Sequence, residues 1–339
     1  MVVRTRGFAW VMSSSMLACG AAPDAADTDG GTTGSVTGSP STSTTAGTTA
    51  STTATTASSG MTTGDADSGT TASSASTTAD ASDDGSSGGG VSPGCGNASA
   101  ATGETARNVM IAGVDRSYLV DAPASIDPSA PLSLVFVFHG NGGSGQGIQG
   151  MGLQWVDGAQ DQAVFVFPDG LPYMDFGVGW DGVCEEYDME FFDTMVATLS
   201  SEYCIDADRI FAAGFSWGGD MCQALACCRG DVVRAIAPAS GPEFYPSQYP
   251  AACPDTERPA FRMTYATNDA YPPQMFADTI AYYRDQHGCQ LEPAPIDPAP
   301  CVAYQGCDEP VIACEYEGLG HAWPADWADQ TWAFFTSMP

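Results

Sequence analysis

The chain has 339 residues, of which 10 are basic and 41 acidic, for a net charge of −31. All ten cations are arginine, which excludes a Schiff-base lysine, a pyridoxal-phosphate lysine and the lysine of a phosphate-binding loop. A charge this negative also excludes nucleic acid, whose phosphates need neutralising cations. The same long-range repulsion disfavours anionic membranes and polyanions, leaving a neutral substrate.

Residues 1–19 read as a leader. Arg4 and Arg6 form a positive start, and Gly7 to Leu17 is an apolar stretch too short to span a membrane. Met16-Leu17-Ala18-Cys19-Gly20 resembles the lipobox of bacterial lipoproteins, in which Cys19 is lipidated and becomes the new N-terminus. The other reading is ordinary signal-peptidase cleavage near Ala21 or Ala22, with Cys19 discarded. Either way the chain is expected outside the cytoplasm, as a cell-surface or outer-membrane lipoprotein or a secreted protein. Any membrane contact is expected through a lipid anchor alone.

Residues 20–93 contain almost nothing but Ser, Thr, Gly, Ala and Asp, with eight aspartates, no cation and no aromatic. Such a segment buries too little apolar surface to offset chain entropy and is expected to be a disordered tether. At this length it spans an r.m.s. distance of roughly 45–50 Å, as a stalk or as a plain linker. Asn97-Ala98-Ser99 fits the N-glycosylation acceptor pattern.

Residues 94–339 form the expected folded domain, with 8 arginines and 33 acidic residues for a net charge of −25. Asn108–Ile111 and Arg116–Val120 suggest a hairpin, and Leu132–Phe138 and Ala163–Phe167 are apolar enough for strands buried on both faces. Glu190–Tyr203 has helical spacing. Arg209–Ala213, Val233–Ala237, Ala260–Ala266 and Val311–Tyr316 are further strands, with helices between most of them. Antiparallel strands followed by βαβ alternation predict an α/β domain with a mostly parallel central sheet and helices on both faces. Ligands gather at the carboxyl ends of such strands, so the loops after Phe138, Ala213, Ala266 and Tyr316 matter most.

Gly214-Phe215-Ser216-Trp217-Gly218-Gly219 lies between a strand and a helical run, Asp220 to Cys228. In that context G-x-S-x-G is a nucleophile elbow, a turn too tight for side chains that lifts the serine hydroxyl clear of the sheet. A serine attacks only if a histidine takes its proton and a carboxylate orients that histidine. The chain order is Ser, then Asp or Glu, then His. Only His287 and His321 follow Ser216. His321 lies in a glycine-flanked loop past the last strand, whereas His287 ends a helical pattern, Gln274–Gln286, as a surface residue would. Asp269 closes the strand before it. Asp278 falls within a helix, Asp297 among prolines and Asp326 after the base.

The loop His139-Gly140-Asn141-Gly142-Gly143-Ser144-Gly145 follows Phe138 where an oxyanion hole is expected, built from the backbone N–H groups of Asn141 and Trp217. A phosphate-cradling loop is the competing reading, but the lysine is missing. Trp180, Trp217 and Trp323 lie in or near these loops, where they either stack on a phenolic group or a sugar or simply pack. Trp180, Trp323 and His139 are the candidates for lining the substrate site, although His139 also reads as a structural loop residue.

The series HGNGGSG, PDG, GFSWGG, a strand ending in TND, and GLGHAWP resembles secreted esterases of the feruloyl esterase and polyhydroxybutyrate depolymerase type, from about Asn108 to the C-terminus. Asp206-Ala207-Asp208-Arg209-Ile210 and Gly288-Cys289 match as well. Tyr265-Ala266 departs from the family's His-Gly, and Ala325 replaces a glycine. The resemblance implies an α/β-hydrolase fold with Ser216, Asp269 and His321 as the triad. It implies a serine carboxylesterase, closer to the feruloyl branch, that releases hydroxycinnamates from xylan. A polyhydroxybutyrate depolymerase and an acetylxylan esterase are the alternatives. The substrate is a neutral ester, polysaccharide-linked or a polyester, and the protein is expected to be a monomer without cofactor or metal.

The chain has twelve cysteines without a CxxC pair, which reads as a disulfide framework in an oxidising compartment. With Cys19 lipidated eleven remain, so one is left over, and the adjacent Cys227-Cys228 is the place to look for it. Two other classes stay open: a surface-binding lipoprotein on a decayed hydrolase fold, and a metal or redox module using Cys301, Cys307 and Cys314.

Overall fold

The structure, a computed structural model, describes residues 90–339 except 174–175, 243–252 and 254–258. The leader, Cys19 and residues 20–89 of the tether lie outside the described residues. The tether was expected to reach Pro93, but the fold begins earlier. Val91 bridges Asp206, the Ser92 N–H donates to the Ile205 carbonyl at 2.9 Å, and Cys95 is disulfide-bonded to Cys204.

Strands β1 (Gly103–Ile111) and β2 (Val114–Ala122) pair as a hairpin. Its two turn residues, Ala112 and Gly113, both have positive φ, 47° and 86°, the turn whose twist matches that of the strands. Burial alternates along β1, as expected at a sheet edge with one wet face. Strands β3 (Leu132–Phe138) and β4 (Ala163–Pro168) are buried throughout. Short helices α1 (Gly145–Gln149) and α2 (Ala159–Gln162) lie between them. A small separate hairpin, β5 (Leu171–Pro172) with β6 (Val178–Gly179), follows. Helix α3 (Tyr187–Glu202) leads into β7 (Ile205–Phe215), α4 (Trp217–Cys228), β8 (Ala235–Ala239) and β9 (Ala260–Ala266). Then come α5 (Pro273–Gln286), β10 (Ala294–Pro295), β11 (Cys301–Ala303), β12 (Val311–Tyr316) and α6 (Trp327–Thr336).

The large sheet has the order β1-β2-β4-β3-β7-β8-β9-β12-β11-β10. From β4 to β12 every pairing is parallel, and the two antiparallel ends close it. Successive residues of β3 feed opposite cores. Leu134, Phe136 and Phe138 pack with α3, α4 and α5, whereas Val135 and Val137 pack with residues of α6. This is the mostly parallel α/β-hydrolase architecture, and it brings the ends of β3, β7, β8, β9 and β12 to one edge.

Five disulfides brace the described residues: Cys95–Cys204, Cys184–Cys228, Cys227–Cys253, Cys289–Cys307 and Cys301–Cys314. The leftover thiol is therefore not in the adjacent pair, whose members bond outward to two different loops. It is Cys222, buried in α4, where burial pushes the thiol well up. Cys301, Cys307 and Cys314 are held in disulfides, so they do not form the metal site considered from the sequence. No described helix is long and apolar enough to cross a membrane.

Candidate active site

Ser216 sits between β7 and α4 with φ 53° and ψ −124°, a strained conformation for a residue with a side chain. The turn is held by the Ser216 N–H to the Ala239 carbonyl at 2.9 Å, and by the Asp220 N–H to the Ser216 carbonyl at 3.0 Å. It also demands glycine. A Cβ at Gly218 would overlap the Phe138 carbonyl, so the first turn of α4 packs directly on the end of β3. That contact brings the loop after Phe138 beside the serine. A Cβ on Gly140 would come within 3.1 Å of the Ser216 Cβ.

Asp269 follows β9, and its side chain is 1 % exposed. Oδ1 accepts from His321 Nδ1 at 2.8 Å and from the Tyr271 N–H at 3.1 Å, while Oδ2 accepts from the Ser240 hydroxyl at 2.7 Å. Burial pushes the Asp269 carboxyl up, but the hydrogen bonds from His321, Ser240 and Tyr271 outweigh it and hold the group below its usual range. Nδ1 of His321 faces the carboxylate, so Nε2 is the ring nitrogen left for a partner outside this pair. The imidazole is 27 % exposed and packs between Phe215 at 4.8 Å and Tyr271 at 5.7 Å, measured between ring centres. Phe215 immediately precedes Ser216 and also stacks on Trp323 at 4.6 Å, so the His321 loop is clamped to the elbow. The structure thus brings Ser216, Asp269 and His321 to one edge of the sheet.

The Asn141 and Trp217 N–H groups make no hydrogen bond among the described residues. Trp217 opens α4, where the first N–H groups lack an intrahelical acceptor and suit a developing anion. The shape of the loop comes from Pro168-Asp169-Gly170. Asp169 accepts from the Gly145 N–H and from the Ser117 hydroxyl, both at 2.7 Å, which ties the start of α1 to β2.

His139 and Trp180 do not line the site as expected. His139 is 2 % exposed, with Nε2 accepting from the Gly170 N–H at 2.9 Å and Nδ1 donating to the Gly140 carbonyl at 2.7 Å. Burial pushes this imidazole below its ordinary range, so it stays neutral as a structural brace. Trp180 is 1 % exposed, packs on Phe138 and His139, and donates Nε1–H to the His139 carbonyl at 2.9 Å. Neither offers a face to a ligand. Trp323 is half-buried against Phe215 and Trp327. His287 is also not the surface residue its helix-end position suggested. It is buried beside the Pro259 carbonyl, at the amino end of β9 and so across the sheet from Asp269.

Ser240 and Tyr271 escaped the sequence reading. Ser240 has the one usable signal, a hydroxyl at the carboxyl end of an apolar strand just before Gly241-Pro242. Its φ of 50° turns the hydroxyl back onto Asp269.

Fold and site together define an α/β hydrolase. Feruloyl esterase C of Emericella nidulans is 32% identical over 263 residues, covering 72% of this chain and 90% of that protein. Feruloyl esterase D of Neurospora crassa is 31% identical over 240 residues, covering 64% and 77%. The acetyl xylan esterase of Aspergillus awamori superposes with a TM-score of 0.57 at 17% identity, over 68% of this chain and 99% of that one, which is a likeness of fold. No protein-family model matches the chain. The chain belongs to the feruloyl esterase family and is a carboxylic ester hydrolase. The reading of a decayed binding protein therefore falls away.

Proposed function

We propose that the chain is a serine carboxylesterase acting through an acyl-enzyme, a feruloyl esterase that releases hydroxycinnamates from xylan. The observation that carries the mechanism is the buried Asp269 carboxylate bound to His321 Nδ1, beside a serine held in a strained elbow. As Ser216 Oγ attacks the ester carbonyl, its proton passes to His321 Nε2. The oxyanion is held by the N–H groups of Asn141 and Trp217, each worth about 3–4 kcal/mol in comparable sites. Collapse expels the alcohol, which takes the proton from the imidazolium. Water then attacks the acyl-Ser216 ester by the same route, releasing the acid.

The relatives named feruloyl esterase support the acyl class. The neutral ester of a wall polysaccharide also suits an enzyme this acidic. The leader and the disulfides support an extracytoplasmic enzyme, and the lipobox-like Met16–Gly20 supports its anchoring through a lipidated Cys19. The test is a panel of methyl ferulate, acetylated xylan and polyhydroxybutyrate. Methyl ferulate is expected to be turned over with the highest kcat/KM. Preference for either polymer would replace the proposed specificity with acetylxylan esterase or depolymerase activity.

Ser240 is a positioning residue in this scheme. Its hydrogen bond helps hold the Asp269 carboxyl below its usual range, so Ser240→Ala is expected to raise that pKa toward the ordinary value and to lower kcat/KM about tenfold, or ~1.4 kcal/mol. Ser240→Thr, which keeps the hydroxyl, is expected to restore both. An unchanged kcat/KM in Ser240→Ala would assign Ser240 a packing role only.

A further inference from the structure

Two large aromatic side chains stand in water beside the oxyanion loop: Tyr173, 37 % exposed, and Phe176, 60 % exposed. Tyr173 follows β5 and Phe176 comes just before β6. The Tyr173 N–H to the Gly177 carbonyl at 2.7 Å and the Phe176 N–H to the Tyr173 carbonyl at 3.0 Å fix their backbone. Their rings lie 6.4 Å apart, and Tyr173 meets the Trp217 ring edge-on at 6.0 Å. Trp217 in turn lies across Gly179 of β6, where a Cβ would overlap the indole. The hairpin is tied to the oxyanion loop by the Gly142 N–H to the Val178 carbonyl at 2.8 Å, and by the Asn141 side-chain oxygen, which fills the space a Cβ would take at Gly177. A row of three rings therefore runs outward from the residue next to Ser216.

We infer that Tyr173, Phe176 and Trp217 form the subsite that receives the acyl group of the ester. The inference rests on the serine-esterase reading above. His321 gives its proton to the leaving oxygen, so the alcohol half of the ester lies on the His321 side, where the neighbouring rings are Phe215 and Tyr271. The acyl chain leaves on the opposite side, across the Asn141 and Trp217 N–H groups, where the aromatic row begins. A conjugated ring there gains the offset and edge contacts that aromatic pairs prefer, and an acetyl group is too short to reach them. The released acid is an anion, which a domain of net charge −25 repels, so product leaves readily.

The test replaces the exposed residues, whose loss leaves the core intact. In Phe176→Ala, and further in Phe176→Ala combined with Tyr173→Leu, the ratio of kcat/KM for methyl ferulate to that for p-nitrophenyl acetate is expected to fall at least tenfold, through KM. A ratio within twofold of wild type overturns the subsite. So does a loss confined to feruloylated xylan oligosaccharides, which would put the rings on the sugar. A wild-type enzyme inert on every ester overturns the serine-esterase reading and the subsite with it, so the two failures are distinguishable.

Discussion

Ser216→Ala is expected to lower kcat on methyl ferulate by on the order of 10⁶, the scale seen when a serine hydrolase loses its nucleophile alone. The reason is local. The elbow places the Ser216 side chain against Gly140 at the start of α4, where no second hydroxyl precedes or follows it in the turn. Alanine keeps the Cβ that the turn already accommodates, so the melting temperature should stay near that of wild type. Substrate binding should survive, because the oxyanion donors are backbone groups. A folded variant retaining more than a few per cent of turnover would mean that another group attacks the ester.

The second large effect is expected at His321. Attack requires a neutral imidazole at Nε2, so His321→Ala should remove nearly all turnover, and wild-type activity should fall on the acid side as the ring takes up a proton. Asp269→Asn should cost on the order of 10⁴ in kcat, because an amide favours the wrong tautomer of His321. The depressed pKa of Asp269 fixes a sign as well. Its carboxylate contributes stability above the ordinary carboxyl range and loses it as pH falls through the depressed value. His287→Gln is the control, since that ring is buried beside the Pro259 carbonyl at the far end of β9 and keeps a donor in the variant. If His287→Gln inactivates a folded enzyme while His321→Ala does not, the triad is wrong.

The sequence showed most of the framework because its signals were local. Leu132–Phe138, Ala260–Ala266 and Val311–Tyr316 have the bounds the sequence predicts, since mainly apolar runs end there at polar or glycine-rich loops. Strand β7 begins four residues before the expected Arg209, because Asp206 and Asp208 are polar yet remain in the strand as it passes a register shift against β3. Helix α6 is not among the elements the sequence predicts. Its Trp327 and Phe335 look like loop aromatics until they are seen covering the sheet face that carries Val135 and Phe211.

The triad candidates were legible because the elbow and the glycine-flanked histidine are contiguous motifs. The residues around them were not, because their roles depend on strands far apart in sequence. Ser240 reaches Asp269 across 29 positions, and Trp180 reaches His139 across 41. A tryptophan in a loop gives no sequence sign of which way it faces, so the sequence points to Trp180, which is buried, and carries no mark of the exposed Tyr173 and Phe176.

Everything proposed for the reaction depends on Ser216 being a covalent nucleophile. Treatment of the purified protein with a fluorophosphonate, followed by intact mass and peptide mapping, tests it in one measurement. A single adduct is expected, on Ser216, that forms in His287→Gln and is absent from Ser216→Ala. An adduct that persists in Ser216→Ala on another serine, or an active wild-type enzyme that takes none, would contradict it.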